Sequence, residues 1–124
     1  EKKGKLTILN RTVEKAEALA KELNCNFGSL KYFEKIKPDI LINTTSVGMH
    51  PNINETPINT KLVKNIVVFD AIYNPEKTKL LREAEKNNCI TISGKEMFLN
   101  QAAGQFKLWT GKEADVNFLR GLLK

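Results

Sequence analysis

Leu6-Thr7-Ile8-Leu9-Asn10-Arg11-Thr12-Val13-Glu14-Lys15 passes from an apolar, β-branched strand into a polar helix start. Such a junction lies where the carboxyl end of a strand meets the amino end of a helix, and in open α/β sheets that is where ligands bind. Thr12 is expected to cap the helix, its hydroxyl accepting from a backbone N–H one turn in. Lys15 stands in place of the Glu that would complete a capping box. The helix itself is predicted over residues 13–23, with Ala16, Leu19, Ala20 and Leu23 on one face.

The charge at this junction works against the helix. Arg11 and Lys15 sit where the macrodipole disfavours cations by roughly 0.3–1 kcal/mol each, and Glu14 offsets only part of that. Two cations beside free N–H groups become favourable when an anion arrives, and phosphate is the usual guest. Dinucleotide folds commonly place an Asp or Glu at the end of the second strand for the ribose 2′-OH of NAD, while an Arg there accommodates the 2′-phosphate of NADP. Asn10-Arg11 at this place points to NADP. The competing reading is an ordinary solvated helix start, which a short motif alone does not exclude.

Further along, Asp39-Ile40-Leu41-Ile42-Asn43 is a near-continuous apolar run, as expected of a parallel strand buried on both faces. It leads into Thr44-Thr45-Ser46-Val47-Gly48-Met49-His50-Pro51. The small hydroxyl side chains offer donors without bulk, and Gly48 permits a turn that a larger residue would resist. Such a loop suits a ligand's sugar or pyrophosphate, or is simply a polar turn.

Ile66 to Asp70 is a second buried strand, ending in Ala71-Ile72-Tyr73-Asn74-Pro75. Glu76 to Asn87 reads as an amphipathic helix with Leu80, Leu81 and Ala84 inward. Cys89 to Ile92 is a short strand, Ser93-Gly94 a turn, and Lys95 to Trp109 a long helix. Asp115 starts a last helix carrying Val116, Leu119, Leu122 and Leu123. Phe27 to Ile36 suggests a short helix that Pro38 ends, and Asn52 to Lys64 a loop with a short helix near its end. Strand–helix alternation at this rhythm predicts a doubly wound parallel α/β sheet.

A dinucleotide fold normally opens with a strand, a G-x-G-x-x-G turn and a helix. No such motif occurs here, and Glu1-Lys2-Lys3-Gly4 directly precedes what reads as the second strand. The expectation is therefore one partial domain over residues 1–124: a Rossmann-like sheet truncated at its N-terminus, with C-terminal helices.

Composition narrows the class. The 124 residues are 41% hydrophobic and 27% charged, ordinary for one globular domain. A net charge of +6 admits a polyanionic partner. However, Lys alternates with Glu along the helical stretches, as on a solvated face, and there is no Arg-rich tract, RNA-binding aromatic signature or zinc-finger spacing. No nucleic-acid partner is expected. Cys25 and Cys89 form no CxxC and read as free thiols in a reducing cytoplasm. His50 is the only histidine, which leaves no multi-His metal site. No apolar run reaches the roughly 18–20 residues that cross a bilayer.

With these residues in place, the chain resembles the C-terminal, NADP-binding domain of the shikimate dehydrogenases. The likeness rests on four motifs in family order. Asn10-Arg11-Thr12 with Lys15-Ala16 resembles the 2′-phosphate motif, and Asn43-Thr44-Thr45-Ser46-Val47-Gly48-Met49 the second cofactor loop. Asp70-Ala71-Ile72-Tyr73-Asn74-Pro75, with Thr78, resembles the strand-end segment that reaches both ligands. Gly94 through Met97 to Gln101-Ala102, then Phe106 to Gly111, resembles the terminal helical segment. Glutamyl-tRNA reductases share an Asn-Arg-Thr element, but the Gln101–Gly111 segment argues against that family.

The resemblance implies that Asn10, Arg11, Thr12 and Lys15 hold the 2′-phosphate and that Thr44, Thr45 and Ser46 line the cofactor loop. Ala71 and Gly94 would approach the nicotinamide end through their backbones, with Met97 beside it. Tyr73 and Gln101 would hydrogen-bond shikimate or 3-dehydroshikimate. The family's catalytic Lys–Asp pair belongs to an N-terminal domain, so no catalytic residue is expected in this chain and the chain alone is expected to be inactive. Contacts that separate shikimate from quinate lie mostly in that domain too. Lys95-Glu96 departs from the family, which usually has a less charged pair.

In the sheet order 3-2-1-4-5-6, loss of strand 1 deprives strands 2 and 4 of their shared neighbour. Exposed edges invite pairing between copies, so a homo-oligomer is one expected consequence. A non-catalytic α/β binding or self-association module is the alternative from another class.

Overall fold

The computed structural model describes residues 4–123. Two compact units divide at residue 38. The first is a βαβ unit: β1 (Thr7–Asn10), α1 (Val13–Leu23) and β2 (Asn26–Ser29). The strands run parallel, with Thr7 opposite Asn26 and Asn10 opposite Ser29. Asn24 ends α1 in the left-handed region at φ 49° and returns its N–H to the Ala20 carbonyl.

Ala16 and Ala20 are buried, whereas Leu19 and Leu23 stay about half exposed. The apolar face of α1 is thus narrower than its sequence suggests, because a sheet of two short strands covers only a narrow stripe. The expected helix over residues 27–36 is corrected in its first half. Phe27 and Gly28 lie in β2, and only Leu30–Lys35 form a 3-10 helix, which buries Phe33. A four-residue strand interrupted by glycine carries too little alternation to announce itself.

The second unit holds three parallel strands, β3 (Ile40–Asn43), β4 (Val67–Asp70) and β5 (Ile90–Ser93), in that spatial order. Asn43 aligns with Asp70, and Asp70 with Ser93, so the loops after all three strands leave from one edge of the sheet. Helix α2 (Lys79–Lys86) buries Leu80, Leu81 and Ala84. It starts later than the expected Glu76 because Thr78 supplies the cap, accepting from the Leu81 N–H at 3.3 Å. Helix α3 (Gly94–Thr110) ends at Gly111, whose φ of +70° suits glycine. Helix α4 (Val116–Leu122) follows.

The expectation that β3 is buried on both faces is overturned. Register sets Ile40, Val67 and Ile90 in one row and Ile42, Phe69 and Ile92 in the next. Alternation places both rows on a single face, where Ile40 is 57% and Ile90 68% exposed. Val68 and Asp70, on the opposite face, are fully buried. The apolar run is genuine, but only one side of it is covered among the described residues.

Each unit thus carries an all-parallel sheet, β1-β2 in the first and β3-β4-β5 in the second, of the kind that doubly wound folds contain. Among the described residues β1 and β3 are each paired along one edge only.

Candidate cofactor site

In the first unit the basic junction is built by β1 and α1. Asn10 closes β1, and its Oδ1 accepts the Thr12 N–H at 2.9 Å, an Asx turn that fixes the path through Arg11. Thr12 takes the N-cap position by its backbone, φ −96° and ψ 103°, but its hydroxyl makes no capping bond. That corrects the expected Thr12 cap. The helix start is closed instead by the Lys15 N–H on the Thr12 carbonyl. Arg11, Thr12 and Lys15 are all exposed. Neither cation is in an ion pair among the described residues. Guanidinium, ammonium and uncommitted hydroxyl therefore stand together at a helix N-terminus, the donor set that suits a phosphate.

In the second unit the three strand ends carry the remaining expected residues. Thr44, Thr45 and Ser46 are exposed in the loop after β3. The Thr45 hydroxyl is already committed, donating to Asn43 Oδ1 at 2.7 Å and accepting the Val47 N–H at 3.2 Å. Of the three hydroxyls, only those of Thr44 and Ser46 lack a side-chain partner among the described residues. Gly48 follows at φ +101°, a conformation other residues resist, and packs against Thr78 and Ile72.

Ala71 leaves β4 and Gly94 leaves β5 in close approach. A Cβ added at Gly94 would lie 2.2 Å from the Ala71 carbonyl oxygen. The Gly94 N–H donates to the Ile72 carbonyl at 3.3 Å. Tyr73 is 56% exposed and stacks on Phe98, with ring centroids 5.4 Å apart. Met97 and Gln101 are exposed on α3, one turn apart.

Lys95 and Glu96 do not charge this edge freely. Lys95 pairs with Glu76 at 3.3 Å, and Arg120 from α4 makes a two-pronged bond to Glu96 at 2.8 and 3.3 Å. Nearby lies an open groove of about 530 Å³ lined by Glu76, Lys77, Leu81, Thr91, Ile92, Ser93 and Glu96. It contains none of the expected site residues.

The residues that organise the strand ends of the second unit were missed as site residues. Asn43, Asp70 and Thr78 are buried polar side chains joined in one network. The available signal was an acid ending an apolar strand with no cation beside it in sequence, a position that burial punishes unless donors converge there.

Parallel strands and helices, with a basic helix start in the first unit and with hydroxyls and a close glycine at the strand ends of the second, are the parts of a Rossmann-like domain. Comparison with known proteins narrows the class. The family model described as the shikimate 5′-dehydrogenase C-terminal domain matches residues 94–124. The NADP(+) shikimate dehydrogenase of Methanocaldococcus jannaschii is 45% identical over 133 aligned positions, covering 98% of this chain and 47% of the relative. That of Methanococcus aeolicus is 41% identical over the same shares of both chains. A crystal structure of a shikimate dehydrogenase in complex with NADP+ superimposes with a TM-score of 0.86 at 40% identity, covering 96% of this chain and 45% of that one. The chain matches the C-terminal portion of the shikimate dehydrogenases and spans about half the length of these relatives.

Proposed function

We propose that this chain is the NADP-binding portion of a shikimate dehydrogenase, an enzyme that reversibly reduces 3-dehydroshikimate to shikimate. NADPH supplies the reducing equivalent; the residues described above bind and orient it. Arg11, Lys15, Asn10 and Thr12 hold the 2′-phosphate. Thr44, Thr45 and Ser46 line the cofactor loop, and Ala71, Gly94 and Met97 meet the nicotinamide end. Tyr73 and Gln101 reach the substrate. Residues 1–124 act as one partial cofactor domain, and the proton-handling pair belongs to a separate catalytic domain, so the chain alone is silent. Cys25 and Cys89 are free thiols, in keeping with a cytoplasmic protein.

The observation that carries this reading is the pair of cations with no ion-pair partner among the described residues, beside a Thr12 hydroxyl that makes no capping bond. Arg11→Ala should lower affinity for NADP+ by about tenfold or more, the loss expected for a charge-assisted contact, and leave NAD+ nearly unaffected. Isothermal titration of both nucleotides reads this directly. Equal loss for the two would remove the 2′-phosphate role from Arg11.

Self-association is a second reading, favoured by the exposed isoleucine face of the second sheet and by the edges of β1 and β3 that are unpaired among the described residues. The match of residues 94–124 to the shikimate 5′-dehydrogenase model favours the dehydrogenase over a glutamyl-tRNA reductase-like domain.

A further inference from the structure

We propose that Asp70 is a positioning residue for the cofactor, a buried carboxylate that fixes two cofactor-facing segments at once. The inference rests on the reading of this chain as an NADP-binding domain. Asp70 is fully buried at the end of β4 and has no cation partner among the described residues. Three donors converge on it. Asn43 Nδ2 and the Ile72 N–H donate to Oδ1, each at 3.1 Å, and the Thr78 hydroxyl donates to Oδ2 at 2.7 Å. The same hydroxyl oxygen accepts the Leu81 N–H at 3.3 Å, so Thr78 joins the start of α2 to Asp70. Each of these three neighbours is a donor, so the carboxyl oxygens serve as acceptors for the surrounding segments.

The consequence runs outward through Asn43. Its amide could be placed either way round in principle, but the carboxylate repels the amide oxygen and draws the NH2. Asn43 Oδ1 is thereby turned toward Thr45, whose N–H and hydroxyl it accepts at 3.0 and 2.7 Å. The other Nδ2 proton goes to the Val47 carbonyl at 3.4 Å. Asn43 has no capacity left, and the Thr44–Ser46 path is set. On its other side Asp70 holds the Ile72 N–H, fixing the turn against which Gly94 packs. One carboxylate thus ties the loop after β3 to the segment joining β4 and β5.

The test uses the 124-residue chain, two ligands and paired variants. NADP+ reaches both segments, whereas adenosine 2′,5′-bisphosphate carries only the end assigned to Arg11 and Lys15. Thr78→Val removes the donor to Asp70 while keeping the shape. Thr45→Val cuts the relay at an exposed residue, where the core is not at risk. Each should weaken NADP+ by about tenfold in isothermal titration and change adenosine 2′,5′-bisphosphate by less than about twofold. Thr78→Ser and Thr45→Ser, which restore the hydroxyls, should recover NADP+ affinity. Parallel weakening of both ligands, or no change in either, would reduce the network to a structural one and overturn the proposal. Absence of adenosine 2′,5′-bisphosphate binding by the unaltered chain would instead defeat the cofactor reading and this inference with it.

Discussion

Gly94 shows how little room one backbone atom can leave. Its missing side chain is required by the Ala71 carbonyl, 2.2 Å from where a Cβ would stand, with the Ala71 and Ile72 carbonyl carbons at 2.5 and 2.6 Å. No rotamer relieves a clash with backbone, so Gly94→Ala must push β5 and the start of α3 away from the β4 turn. Overpacking of this kind costs about 1–3 kcal/mol, and a rigid obstacle belongs at the upper end. The urea midpoint should fall accordingly, while Gly104→Ala, which meets nothing within 4 Å, should leave it unchanged or raise it. Equal midpoints for the two variants would refute the close approach. Glu85 offers a second residue-scale check. Its pKa is lowered from the ordinary 4.5, first by its bond to Lys77 and then by the Thr91 hydroxyl. A lowered carboxyl contributes stability above its unfolded value and loses that contribution as pH falls through the folded value. The Glu85 side-chain titration followed by NMR should therefore have its midpoint below 4.5, and Thr91→Val should move it upward.

At the scale of elements, legibility followed how clearly each segment's apolar residues repeat. Helix α1 spans Val13–Leu23, the range its periodicity predicts, and β3, β4 and β5 fall within a residue or so of their apolar runs. Strand β2 was illegible because Gly28 and the exposed Asn26 and Phe27 deprive it of pattern. The apparent two-sided burial of β3 misled for another reason, since an apolar run states what a strand can bury and not what covers it. Residue types at the strand ends pointed to a site, but Asn43 to Asp70 and Asp70 to Thr78 are tertiary contacts that no local spacing encodes. Helix α4 is the clearest local case. Asp115 Oδ1 accepts the N–H groups of Asn117 and Phe118 at 2.9 and 3.0 Å, while no residue of the helix is buried. With so little packing to support it, α4 depends on its cap, worth about 0.5–2 kcal/mol. Asp115→Ala should increase amide hydrogen exchange at Asn117 and Phe118 and leave α2 protected. Unchanged exchange at those amides would mean that the Arg120–Glu96 contact, not the cap, holds the helix.

For the whole molecule the unresolved tension is between an open apolar face and a high positive charge. Ile40, Ile42, Ile90 and Ile92 are between 41% and 68% exposed on one side of the second sheet. Covering the exposed half of each yields about 1 kcal/mol, so a dimer that buries the four of both copies gains about 8 kcal/mol. Association itself costs at least about 4 kcal/mol in lost freedom. The face alone therefore holds no better than a dimer of about 1 mM dissociation constant, and any tighter pairing must also draw on the sheet edges left unpaired among the described residues, at about 0.5–1.5 kcal/mol per hydrogen bond. Self-repulsion from a net charge of +6 opposes both contributions until salt screens it. Sedimentation velocity should accordingly find monomer at about 10 μM in low salt, and a rise in mean mass only toward about 1 mM, more so at high ionic strength. Ile42→Lys with Ile90→Lys should abolish that rise by placing charge in the middle of the face. A tight dimer at micromolar concentration that survives this double substitution would show that a different surface drives assembly, and that the isoleucine rows are merely exposed.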